Sequence, residues 1–185
     1  MNNNKLHIDV RANTLHLPEI REQAEKHIKE ALINAVPHII TRQAELPAFI
    51  TREYGAYSAL MTEARTCYEF GFFYGAVALI FITAEKYAME LLGKEKGAQF
   101  ERIKLLKEIK VISSDDYNDL DKLDKMRIKY IHPRKTEDAD AKKDALDAIS
   151  LFNRVIQRRF YEKYEIREGV IYEKSTNEAS KIILP

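Results

Sequence analysis

Ala76-Val-Ala-Leu-Ile-Phe-Ile-Thr-Ala-Glu-Lys-Tyr-Ala-Met-Glu-Leu-Leu-Gly93 is the stretch on which the architecture turns. From Ala76 to Ile82 it is apolar on every side, and Gly93 supplies a helix stop. A helix without a polar face belongs at the centre of a bundle or in a subunit interface. The apolar run reaches back to Phe70 and closes on Glu85-Lys86. At about 15 residues it is shorter than the ~20 that a membrane-spanning helix needs.

Working outward, Gly71-Phe72-Phe73-Tyr74-Gly75 reads as a turn, because two glycines weaken any continuous helix. Before it, Ala59, Leu60, Ala64, Cys67 and Tyr68 keep helical spacing and predict a helix over Ala56–Phe70. After Gly93, a helix is expected from Gln99 to Lys110 with Phe100, Ile103, Leu106 and Ile109 inward. Ser113-Ser114-Asp115-Asp116 is an N-cap cluster, since short side-chain oxygens accept the orphan amides of a new helix. That helix should span Asp115 to Ile131, ended by Pro133. Glu137 to Tyr161 carries the cleanest period, through Ala145, Ala148, Ile149, Phe152, Val155, Ile156 and Phe160. Tyr164–Lys174 then alternates around Glu168-Gly169, the pattern of a short β-hairpin.

Toward the N-terminus, Pro18 opens a helical period of Ile20, Ala24, Ile28, Ala31, Leu32 and Ala35 that Pro37 is expected to break or kink. Leu6, Ile8 and Val10 alternate as in a short strand. The resulting organisation is a partly helical extension over residues 1–55, packed on a separate all-α, up-and-down helical bundle over residues 56–161. A C-terminal hairpin and tail occupy residues 162–185.

The chain has 185 residues, with 30 Lys and Arg against 29 Asp and Glu, a formal net charge of +1. That balance excludes a chain made sticky by overall positive charge, though not a local basic site. Cys67 is the single cysteine, so neither an intramolecular disulfide nor a thiolate zinc cluster can form. The opening Met1-Asn2-Asn3-Asn4 lacks the layout of a signal peptide, and a cytoplasmic protein without membrane attachment is expected. No glycine-rich phosphate loop is present, none of the five histidines follows a Glu by three residues, and no two are four apart. The expectation is chemistry that needs no metal and no cofactor.

What remains is Lys122-Leu-Asp-Lys-Met-Arg-Ile-Lys-Tyr-Ile-His-Pro-Arg-Lys135. Six of these fourteen residues are Lys or Arg and one is acidic, a local excess of +5. A solvated basic face completing the helix dipole is the plain reading, with His132 capping the last carbonyls. Arg127 stands out because it shares a stripe with Leu123, Tyr130 and Ile131. A guanidinium there must reach water or meet an anion, and Glu85 is the expected intramolecular partner.

The chain resembles the HEPN family over about Tyr57–Tyr161. Many HEPN domains carry Arg, four to six residues and then His near the end of a late helix, and Arg127-Ile-Lys-Tyr-Ile-His132 matches with four between. The first helical pair is similar to the branch once catalogued as a domain of unknown function, through Glu63-Ala64, Cys67, Gly71, Phe72-Phe73, Ala76 and Ala84-Glu85. The resemblance implies an up-and-down bundle that forms a homodimer through the faces near the 76–92 and 115–131 helices, with the Arg and His of both copies lining one cleft over RNA. It implies a metal-independent endoribonuclease of the prokaryotic defence or toxin type, with a protein partner such as an antitoxin. In the implied reaction the RNA 2′-hydroxyl attacks the adjacent phosphate and leaves a cyclic phosphate and a 5′-hydroxyl. Arg127 would stabilise phosphate charge and His132 would move the proton. Lys125, Lys129, Arg134 and Lys135 would position the backbone, and Tyr130 would stack on a base. Active members usually have a polar residue directly after the Arg, where this chain has Ile128. The alternative is a catalytically inactive dimerisation or protein-interaction module, with Arg127 and Glu85 structural and the Phe72–Ile82 region making contacts.

Overall fold

Two glycines with left-handed backbones bracket the central helix. Gly71, at φ 85°, turns the chain out of α2 (Ala56–Glu69) and into α3 (Phe73–Leu92). Gly93, at φ 61°, closes α3 and returns its amide to the Glu90 carbonyl. A side chain would strain either position. The structure is a computed structural model that describes residues 18–49, 56–93, 97–131 and 138–174. The expected strand at Leu6, Ile8 and Val10 lies outside them.

The remaining elements are α1 (Pro18–Glu45), α4 (Gln99–Glu108), α5 (Ser114–Ile131), α6 (Asp138–Lys163), β1 (Tyr164–Arg167) and β2 (Val170–Glu173). This is an all-α helical bundle with one small hairpin. α3 packs against α2, α4, α5 and α6, which places it at the centre as its composition demands. Ala76, Val77, Ile80, Ala84 and Ala88 are fully buried, and Tyr57, Tyr87 and Phe152 meet edge to face with ring centroids 5.3–6.4 Å apart. The helix is not enclosed all round, however. Tyr74, Ala78 and Ile82 form an exposed strip at four-residue spacing.

α5 begins where the short polar cluster directs. The Asp116 amide donates to Ser113 Oγ at 3.0 Å, while Asp116 Oδ2 accepts from the Ser113 amide and hydroxyl. This reciprocal cap satisfies two donors at once. In α6, all seven apolar positions singled out from the sequence are buried. The hairpin pairs Tyr164 with Glu173 and Arg167 with Val170. Glu168 and Gly169 both take positive φ, as a tight two-residue turn requires.

Two expectations are corrected. Pro37 does not interrupt α1, which runs as helix from Pro18 to Glu45. Its missing amide removes one helical hydrogen bond, a cost of about 3 kcal/mol in a helix interior. The Pro37 carbonyl meanwhile accepts from Thr41 Oγ1 at 2.9 Å. Second, α4 presents Gln99, Arg102, Ile103 and Leu106 to the core, leaving Phe100 and Ile109 exposed. It ends at Glu108, where Ile109 is the C-cap, its amide donating to the Leu105 carbonyl, and Lys110 turns the chain away with a left-handed φ of 59°. The described part of the N-terminal extension meets the bundle at its C-terminal end. No residue of α1 whose burial is described is buried, and its ties to the bundle fall in the last turn and just beyond it. Arg42 Nε donates to the Glu69 carbonyl at 2.6 Å, Lys142 bridges to Glu45 at 2.8 Å, and Leu46 enters the core. Asn153 and Gln157 then hold the Ala48 carbonyl.

Candidate functional site

The C-terminal half of α5, residues 122–131, carries the described part of the basic segment. Each of its four described cations lies within 4.0 Å of a carboxylate. Lys122 faces Asp119 at 4.0 Å, Lys125 faces Asp121 at 2.6 Å, Arg127 faces Asp124 at 3.4 Å and Lys129 faces Asp144 at 2.5 Å. Three of these acids sit one turn earlier on the same helix, so the pairs follow from i,i+3 and i,i+4 geometry. The hydrogen bond it donates to Asp121 pushes the Lys125 ammonium up from its ordinary value, and the bond donated to Asp144 does the same for Lys129.

Tyr130 points inward. Its hydroxyl donates to Asp144 Oδ2 at 2.7 Å, and its ring meets Tyr74 and Phe81 edge on. Burial, then the Asp144 hydrogen bond, pushes its phenol above the usual tyrosine range. A ring held this way is committed to the α3–α5 contact. Glu85 is not the partner of Arg127. It pairs with Arg102 at 3.0 Å, because α4 carries Arg102 on its core face while Arg127 has Asp124 three residues behind it. Arg127 is a third exposed, and its buried Nε has no hydrogen-bond partner among the described residues. His132, Arg134 and Lys135 lie outside the described residues.

One feature escaped the sequence reading. Asp116 and Asp119 on α5 are buried and bound by Arg154 and Arg158 on α6. Their spacing, three apart on one helix and four apart on the other, was the available signal. The Phe72–Ile82 region starts at the corner between α2 and α3, where Gly71, Phe72, Phe73, Tyr74 and Gly75 line an open cleft of about 410 Å³. Phe70, Phe72 and Tyr74 are exposed there, and Ile82 continues the surface along α3. Arg42 closes one side, its guanidinium 5.9 Å from the Phe73 ring centroid.

Among the described residues, no group of three or more His, Cys, Asp or Glu side chains is placed to hold a metal ion. Nor is any described helix long and apolar enough to cross a membrane. No family model matches the chain, and no curated protein or solved structure matches it significantly.

Proposed function

We propose that this chain is a HEPN-like helical-bundle module that binds a protein partner through the α2–α3 corner and performs no catalysis. The observation that carries this reading is the exposed aromatic rim of Phe70, Phe72 and Tyr74 around an open cleft, continued by Ile82. Contiguous apolar surface of this kind marks an interaction site more often than a solvated face, and aromatic side chains anchor protein interfaces. Arg42 beside the cleft favours a partner segment that places a carboxylate next to apolar side chains. The paired cations of α5 support the same reading, since a lysine already bridged to a carboxylate adds little attraction for phosphate.

A phage-displayed peptide library panned on the purified protein tests this. Acidic-apolar peptides are expected, and Phe72→Asp should weaken them by about 2 kcal/mol, roughly thirtyfold. The melting temperature should stay unchanged, because Phe72 is two-thirds exposed. Failure to select any peptide, or peptides indifferent to Phe72→Asp, would remove the reading.

One observation favours RNA as the ligand instead. Arg127 keeps a buried Nε without a partner and holds Asp124 only at 3.4 Å, so its donor set has capacity for a phosphate. On this second reading Arg127 and His132 act on RNA in a homodimer. Incubation with mixed-sequence RNA in chelator separates the two. The interaction reading expects intact RNA. Cleavage that disappears in both Arg127→Ala and His132→Ala would replace it with the ribonuclease reading.

A further inference from the structure

α1 presents a second apolar surface, on the turns before Arg42. Ile28, Leu32, Ile33, Val36 and Ile40 are 59%, 52%, 70%, 48% and 60% exposed. At about 100° per residue they fall on one side of the helix, and their 28, 32, 36, 40 spacing forms a continuous i+4 ridge of the kind that packs into the grooves of another helix. Water is a poor environment for such a helix. Isolated helices are marginal even with favourable sequences, and α1 carries Pro37 in its interior with no buried residue among those described. Something must cover this ridge.

We infer that the ridge is covered by α1 of a second copy, running antiparallel across a two-fold axis near residue 34. The spacing is self-complementary about that point: Ile28 falls opposite Ile40, and Leu32 opposite Val36. An isologous contact needs this property. Direction follows from charge and shape. Glu22, Glu25 and Lys29 lie on the same side of the helix toward its N-terminal end, and a parallel pair would set each against its own copy. An antiparallel pair sets Lys29 opposite Ile39. It also carries the two bundles to opposite ends, since α1 is anchored to its own bundle through Arg42, Glu45 and Leu46. The area suffices. The five side chains expose roughly 500 Å² per copy, so a pair covers about 1,000 Å², the lower bound for a specific interface. This inference does not depend on the corner or on RNA.

Sedimentation or light scattering on the full chain tests it. The wild type should have twice the monomer mass, and Leu32→Asp with Ile33→Asp should halve that mass without moving the melting temperature of the bundle. To read direction, copies carrying Ile28→Cys and copies carrying Ile40→Cys, both in a Cys67→Ser background, are mixed and oxidised. Cross-links between position 28 of one copy and 40 of the other support the antiparallel pair, whereas preferential 28–28 cross-links overturn it. A monomeric wild type overturns the proposal, as does a dimer that survives the two aspartates.

Discussion

Phe152→Ala should lower the unfolding free energy by about 4 kcal/mol, the range measured when a fully buried phenylalanine is cut to alanine. Phe152 has no exposed surface, and it touches Tyr57 and Tyr87 edge to face at 6.4 and 5.6 Å. It therefore joins α6 to α2 and α3 at one point. Deleting the ring removes two aromatic contacts and leaves a cavity between rigid helices that collapse only in part. A domain of this size has roughly 5–15 kcal/mol in total, so the loss is a large share of it. Equilibrium urea unfolding should show the midpoint falling by about 2 M for a slope near 2 kcal/mol/M. Phe100→Ala is the control: Phe100 shares the apolar period of α4 but is exposed, and it should cost under about 1 kcal/mol. Equal effects at the two positions would contradict the packing described.

The contrast between those two phenylalanines shows what could be read in advance. Signals that act within a few residues were legible: the Ser113–Asp116 cap, the Gly93 stop, and the Glu168-Gly169 turn each work through local backbone geometry. The period of α6 was legible because one of its faces is buried over nearly its whole length. α4 was legible only in part, because its buried face contains Arg102, which apolar periodicity assigns to solvent and which the pair with Glu85 and a hydrogen bond to the Gly97 carbonyl hold there. Pro37 misled in a different way, since proline disfavours a helix without forbidding one. For the candidate site, the basic count over residues 122–135 began just past Asp119 and Asp121, the acids that face Lys122 and Lys125. The charge excess was real along the chain and mostly cancelled in space. The cancellation by Asp144 could not be seen locally, because it depends on how α6 lies beside α5.

Asp119→Ala should be the most damaging change outside the apolar core. Asp119 Oδ1 accepts from Arg154 Nη2 at 3.0 Å, and its Oδ2 accepts from Arg158 Nη2 at 2.8 Å and Arg154 Nε at 3.2 Å. Arg158 Nε continues to Asp116 Oδ1 at 2.6 Å. Removing one partner of a buried pair costs roughly 3–5 kcal/mol, but Arg154 is half exposed and Arg158 a third, so water takes over part of their solvation. About 2 kcal/mol is expected by urea unfolding at neutral pH. The effect should depend on pH in a fixed direction. Burial alone would raise the Asp119 carboxyl, but the hydrogen bonds and charges of Arg154 and Arg158 outweigh it and hold it below the usual range. A carboxyl depressed in the folded state contributes stability that is complete above its unfolded value, ~4, and is lost as pH falls through its folded value. The difference between wild type and Asp119→Ala should therefore shrink in acid, where the folded carboxyl takes up its proton and ceases to attract either arginine. A difference that stays constant from neutral pH into acid would mean that Asp119 acts through packing alone, and that the charge of the Asp116–Asp119–Arg154–Arg158 cluster does not hold α5 to α6.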